Sequence, residues 1–397
     1  MHAISEQKRQ KLITQTTQAW CAPGVTDFGI GQPQDAILPL EILRKAADKE
    51  LSKGDLHPLQ YGCEYGDGYL RLALADFLAD AYGIPVDPEP LFITNGNSQA
   101  LDLVCTIFAK PGDTVFVEEP SYFLALDVFR NHHLKIVGIP VDQDGLVVDA
   151  LEETLKQHRP AFLYTIPAFQ NPTGFTLSTA RRQRMVELSQ QHNFLIVADE
   201  VYQLLNYTLT PPKPMAAYIE SGTVLSLGTF SKILAPGLRL GWIQASQGLI
   251  NKLGSTGYVI SGGGLNPFTS AIVRTVIEEG WQQDYLQQLR QIYQQRIEVM
   301  DAGLRQYFPA NIEYVKPGGG YFFWLRFPEQ IDTNHFLAAA EQRKVGFRPG
   351  SKFSALARLR NYMRLSFSFF GSEEIAQGIE TLAQVIAGTQ IKMDEHR

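Results

Sequence analysis

From about residue 90 onward, short β-rich apolar runs alternate with longer stretches of helical periodicity, the pattern of an α/β domain built on a mainly parallel sheet. The spacing predicts strands at 91–94, 114–117, 134–137, 161–165, 194–198, 224–226 and 240–243. Several are apolar on both faces, as strands sandwiched between helix layers are. The polar residues that stand out fall just after strand ends: Asn97 and Ser98, Asn171, Asp199 and Lys232. In open α/β sheets the ligand crevice lies beyond the carboxyl ends of the strands, so these positions can converge on one site. Farther along, Tyr285, Leu286, Leu289, Ile292 and Tyr293 recur at helical spacing in a long polar helix over 282–307, which reads as a connector. After it come a strand following the Gly318–Gly320 turn, a helix over 334–343 and strands around Gly346 and Met363, an α+β second domain.

Composition narrows the class. The 397 residues are 45% hydrophobic and 19% charged, ordinary for a folded enzyme and long enough that two domains are expected. A formal net charge of −6 argues against nucleic-acid binding, which calls for a basic face. The first twelve residues lack the apolar core of a signal peptide and no run is long enough to span a bilayer, so a soluble cytoplasmic protein is expected. Cys21, Cys63 and Cys105 are few, odd in number and widely spaced. They read as free thiols, and neither a disulfide framework nor a metal site is indicated.

The chemistry is concentrated in the small-residue run 226–242, which carries Thr229, Ser231, Lys232 and Arg239. A lysine amine can form an imine with an aldehyde, while neighbouring hydroxyls and a fixed guanidinium can hold a phosphate. Pyridoxal 5'-phosphate carries both groups. Asn171 lies in Gln-Asn-Pro-Thr-Gly, where the Asn–Pro bond is a candidate cis peptide in a tight turn. Asp199 opens Asp-Glu-Val-Tyr202 at the end of an apolar strand, where a buried carboxylate needs a partner such as a protonated pyridine nitrogen.

These motifs, running in order from Gly29-Ile-Gly-Gln-Pro33 to Asn361-Tyr-Met-Arg-Leu-Ser-Phe-Ser368, resemble the fold-type I PLP-dependent enzymes of the class I/II aminotransferase group. The similarity is greatest to the branch of 2-aminoadipate, kynurenine and aromatic aminotransferases. The resemblance implies a large PLP-binding domain over 47–285 with a mainly parallel seven-stranded sheet, and a smaller α+β domain from 1–46 and 286–397. It implies transfer of the amino group of an L-amino acid, aromatic, 2-aminoadipate-like or broad, to a 2-oxo acid by a ping-pong mechanism in a homodimer with shared active sites. Carried over position by position, Lys232 would hold the cofactor as an imine and move protons, and Asp199 would pair with the ring nitrogen. Asn171 and Tyr202 would bond the ring 3'-oxygen, and Tyr122 would stack on the ring. Thr229, Ser231, Arg239 and the backbone amides of Asn97 and Ser98 would hold the phosphate. Arg364 would clamp the substrate α-carboxylate, with Gly31 and Asn171 beside it, and Tyr61 would reach the phosphate from a neighbouring subunit.

Two departures from the family pattern stand out. The phosphate turn reads Gly96-Asn-Ser-Gln-Ala100 where this branch more often has Gly-Ser-Gln-Gln, and 261–267 carries no arginine for a second substrate carboxylate. Other fold-type I reactions (β-elimination, racemisation, amino-acid oxidation) remain open on fold and cofactor alone. An effector-sensing domain of a transcription regulator is the remote alternative. The stretch before about residue 26 is expected to be too short for the DNA-binding module such regulators carry.

Overall fold

The computed structural model describes residues 21–395, with side chains from 21 to 389. The first twelve residues, read above for a leader, lie outside the described residues. The strands in chain order are β1 (Thr26–Asp27), β2 (Leu91–Thr94), β3 (Thr114–Glu119), β4 (Lys135–Asp142), β5 (Gly145–Leu146), β6 (Pro160–Thr165), β7 (Leu195–Asp199), β8 (Val224–Thr229), β9 (Gly241–Ala245), β10 (Phe322–Arg326), β11 (Val345–Gly346), β12 (Arg348–Pro349) and β13 (Tyr362–Ser366).

The large sheet has the order β2-β9-β8-β7-β6-β3-β4-β5. Strands β4, β3, β6, β7 and β8 run parallel, whereas β9 is antiparallel to both of its neighbours. It follows that β2 points the same way as β8, and the ends of β2, β3, β6, β7 and β8 share one edge. The seven expected strands are all present, extended by β5. That two-residue strand folds back antiparallel on β4 through a turn and is too short to leave a periodic signal. All six positions of β8 and all four of β2 are buried, the outcome expected for strands covered on both faces.

Local chemistry sets the helix boundaries. Helix Gly68–Tyr82 begins where the Asp67 carboxylate accepts from Leu70 N–H at 2.6 Å and stops at Gly83, whose φ of 63° ends it in the left-handed region. The helix expected over 334–343 is divided: Asp332 caps a 3-10 turn at Thr333–Phe336, and the α-helix proper is Leu337–Gln342. The long connector is helix Trp281–Tyr307, which packs against Ser372–Glu395. Gly303 lets them approach, since a Cβ there would lie 2.9 Å from Ile379 Cγ2.

Beyond the connector, β10, β13 and β12 form an antiparallel sheet in that order, while β1 pairs with β11. The expected domain limits at 46/47 and 285/286 fall within helices Leu40–Leu51 and Trp281–Tyr307. Among the described residues no helix is long and apolar enough to cross a membrane.

Candidate active site

Four chain segments leaving the shared strand edge bring polar side chains together with β13. Asp199 is the last residue of β7 and is 7% exposed. The Asn97 amide donates to its Oδ1 at 2.5 Å and the Tyr164 hydroxyl to its Oδ2 at 2.9 Å. Burial pushes the Asp199 carboxyl above its ordinary range, while these donors and the charge of Lys232 pull against that.

Lys232 follows β8 by three residues. Its Nζ donates to Gly31 O at 3.1 Å and lies 5.6 Å from the centre of the Tyr321 ring. Burial, with the positive charges of Arg364 and Arg239, brings its pKa down to about 8 despite the opposing charge of Asp199.

An anion cradle lies at the edge of the sheet where β2 ends. Gly96, with φ 82° and ψ 169°, precedes helix Asn97–Phe108, and no side chain caps the helix. The first turn therefore presents N–H groups without intrahelical partners. Arg239, itself in the left-handed region at φ 47°, donates to Asn95 O and Pro236 O, each at 3.2 Å. Its guanidinium lies across Gly96, where an added Cβ would sit 3.2 Å from Nη2. Thr229 Oγ1 donates to Ser231 Oγ at 3.0 Å and accepts from Ser231 N–H at 3.2 Å, keeping both hydroxyls at the same turn. Amides, two hydroxyls and a guanidinium suit a phosphate.

The loop after β6 carries Asn171, and the Asn171–Pro172 bond is cis as the sequence suggested. Asn171 Oδ1 accepts from Arg364 Nη1 at 2.9 Å, and Arg364 Nη2 donates to Gly29 O at 2.7 Å. Arg364 is 2% exposed, makes no ion pair among the described residues although the charge of Asp27 acts on it, and keeps a buried Nε with no hydrogen bond. Its guanidinium carbon lies 4.1 Å from the centre of the Phe322 ring and 4.9 Å from that of Phe353. Burial draws its pKa down to about 10. Gly31 lies alongside, where a Cβ would come 2.9 Å from Phe322 Cζ and 3.7 Å from Arg364 Nη2.

Tyr202 and Tyr122 sense the same charges. Burial raises both phenols, Tyr122 to about 12, and both feel Asp199 and Arg364. The Tyr202 ring lies 5.3 Å from that of Tyr321 and 5.9 Å from that of Phe322. Ser98 is exposed at the helix start. Tyr61 stands outside the cluster, 78% exposed, with its Cβ against Gly263.

Sequence reasoning missed the supports beneath these groups. Glu118, 1% exposed, accepts from Thr165 Oγ1 at 2.6 Å, Ile166 N–H at 3.0 Å and Gln170 Nε2 at 3.1 Å, and burial pushes its carboxyl up to about 7. Arg182 is fully buried and donates to Pro167 O, Leu177 O and Lys213 O, clamping both ends of the Asn171 loop. A carboxylate at the end of an apolar strand, which singled out Asp199, is also the signal carried by Glu118. The Tyr164 hydroxyl gave no signal, because its ring belongs to an apolar run.

The chain fits a pyridoxal phosphate site on its own chemistry: an anion cradle at one end, a buried carboxylate at the other, and a lysine of lowered pKa between strand ends. Comparison with known proteins agrees. The family model described as aminotransferase class I and II matches residues 23–382. Aromatic-amino-acid aminotransferase 1 of Thermococcus litoralis is 38% identical over 361 residues, covering 90% of this chain and 86% of its own. The 2-aminoadipate transaminase of Thermus thermophilus is 32% identical over 371 residues, covering 92% and 91%. The crystal structure of a multiple substrate aminotransferase from Thermococcus profundus superposes with a TM-score of 0.87 at 34% identity, covering 99% of this chain and 97% of that one. With its site and its relatives in agreement, the chain belongs to the class I and II aminotransferases and is a pyridoxal-phosphate-dependent aminotransferase.

Proposed function

We propose that Lys232 is the catalytic lysine, that Asp199 serves the ring nitrogen of the cofactor, and that Arg364 receives the α-carboxylate of amino-acid and 2-oxo-acid substrates. Pyridoxal 5'-phosphate, when bound, supplies an aldehyde that takes the amino group and a ring that accepts the electron pair left when a Cα–H bond breaks. With a pKa near 8, Lys232 Nζ has a sizeable neutral fraction near neutral pH. It can therefore take a proton from the substrate Cα and return one, the work of a base placed within reach. Asp199 lies at the far end of the site, where its carboxylate, held by donors from Asn97 and Tyr164 against the cost of burial, would favour a proton on the ring nitrogen. Thr229, Ser231, Arg239 and the amides of Asn97 and Ser98 would hold the phosphate, and Asn171 and Tyr202 the 3'-oxygen, with Tyr122 against the ring.

Arg364 carries the substrate assignment. A buried guanidinium that makes no ion pair among the described residues and has Nε unpaired is a costly arrangement that a carboxylate ligand would complete. The surrounding rings of Phe322, Phe353, Tyr202 and Tyr321, together with an arginine-free 261–267 segment, favour amino acids with aromatic or long apolar side chains. The same reading includes a large domain over 47–285, a small one from 1–46 and 286–397, and a cytoplasmic location supported by three separate thiols. It also includes a homodimer. Leu51, Leu56, Leu59, Tyr61, Tyr69 and Leu72 are more than half exposed within one short stretch of chain, an apolar surface of the kind a second copy covers. From there Tyr61 would reach the partner's phosphate.

The test is a half-reaction screen. With an aromatic amino acid and no acceptor, the holoenzyme should lose its visible cofactor absorbance and yield one equivalent of 2-oxo acid with no ammonia. Stoichiometric ammonia would instead make elimination or oxidation the reaction.

A further inference from the structure

Asn97 stands in the turn that departs from the family pattern, and its side chain faces away from the role expected of that turn. Its Nδ2 donates to Asp199 Oδ1 at 2.5 Å and reaches Leu227 O at 3.4 Å. Leu227 on β8 is the register partner of Asp199 on β7, so one carboxamide spans the ends of two adjacent strands. The second carboxylate oxygen is taken by Tyr164 at 2.9 Å. Each oxygen of this buried carboxylate thus has one neutral side-chain donor, one from the helix start and one from β6, and the backbone N–H of Val201 supports the carboxylate from its own segment. Asn97 Oδ1 is buried with no hydrogen-bond partner, so the amide is held by its donor end.

We infer that Asn97 is a positioning residue for Asp199, its side-chain amide aiming and holding the carboxylate that serves the ring nitrogen while its backbone N–H remains at the phosphate end. The inference rests on the assignment of Asp199 made above. A carboxylate withdrawn from water keeps its charge only if donors replace the lost solvent. Neutral donors do this without cancelling the charge, whereas a lysine or arginine at the same place would neutralise the end of the site that must face a ring N–H. The arrangement also ties the two ends of the cofactor site together through a single residue, the first of helix Asn97–Phe108. A displacement of the helix start therefore moves the carboxylate with it.

The experiment titrates cofactor-free protein with pyridoxal 5'-phosphate and, separately, with its 1-deaza analogue, in which C–H replaces the ring nitrogen, following quenching of intrinsic fluorescence. The proteins are the parent, Asn97→Ser, Asn97→Asp and Asp199→Ala. Serine falls short of Asp199, and aspartate keeps the shape but sets an acceptor against Oδ1. Both are favourable residues at a helix start, so either variant can carry the test if the other fails to fold. Loss of one hydrogen bond to a charged group corresponds to about a 10-fold weaker affinity for pyridoxal 5'-phosphate in Asn97→Ser. A larger loss is expected in Asn97→Asp, with the affinity for the analogue nearly unchanged in both. Equal weakening toward both ligands would place the side chain's action at the phosphate and overturn the inference, as would no change toward either. Asp199→Ala should abolish the discrimination between the two ligands. Retention of discrimination in Asp199→Ala would sink the ring-nitrogen assignment itself, a result distinct from failure of Asn97 alone.

Discussion

Replacing Arg364 by methionine should sharply lower activity toward α-amino acids while leaving the cofactor-free protein about as stable as before. Burial holds the Arg364 guanidinium at a pKa of about 10 against an ordinary 12.5, in a side chain only 2% exposed. That displacement corresponds to about 3 kcal/mol against the charged form. A base whose folded pKa is lowered opposes folding throughout the range below that pKa, so the cost is fully present at pH 7 and fades only above about pH 10. Methionine removes this cost and can fill the slot between the Phe322 and Phe353 rings. Against that, Asn171 Oδ1 and Gly29 O lose their donor, a loss of about 1–3 kcal/mol for each group that stays buried. The first effect offsets much of the second, and urea unfolding of the cofactor-free protein should give a stability within about 3 kcal/mol of the parent. In contrast, kcat/KM for α-amino acids should fall by about 10²–10³-fold, the equivalent of a charge-assisted bidentate pair of roughly 3–4 kcal/mol. Amines that lack the α-carboxylate should react equally slowly with both proteins. A stability loss above about 4 kcal/mol would mean that Arg364 was a compensated structural charge. A kcat/KM within 10-fold of the parent would remove it from substrate binding.

Three further outcomes follow from the same geometry. The rate at which cofactor-free protein takes up pyridoxal 5'-phosphate should rise with pH through a midpoint near 8, because the neutral amine of Lys232 is the reactive form; a midpoint near 10.5 in stopped-flow absorbance would show an unperturbed lysine. Asp199→Ala should retain some cofactor yet lower kcat by about three orders of magnitude, as removal of charge stabilisation at a developing charge does; an unchanged kcat would refute its role. Glu118→Leu should cost about 1–3 kcal/mol or more in urea unfolding, since an apolar side chain leaves the donors of Thr165, Ile166 and Gln170 without an acceptor. A fully stable variant would show that the Asn171 loop is held by other contacts.

The large sheet was legible because β6, β7 and β8 are buried on both faces, so each appears as a short apolar run ended by a polar residue. The strand edge then follows, and with it the grouping of Asn171, Asp199 and Lys232. Arg364 was harder to read beside Arg358 and Arg360: those two are exposed and it is buried, a difference that only the pairing of β13 between β10 and β12 creates. Strands of two residues, such as β5, leave no period to detect. The supports were invisible for a different reason. Tyr164 and Tyr321 read as apolar core residues, and which of their hydroxyls meets a charge depends on contacts between segments far apart in the chain. Asn97 was expected to act through its backbone, and its side-chain bond to Asp199 spans 102 positions.

Reduction of the holoenzyme with borohydride, followed by peptide mass spectrometry, tests the central assignment most directly. The account predicts a phosphopyridoxyl group on the peptide containing Lys232 and on no other lysine, at one equivalent per chain, with loss of activity in the same proportion. Modification of a different lysine, or full reduction with Lys232 unmodified, would contradict it.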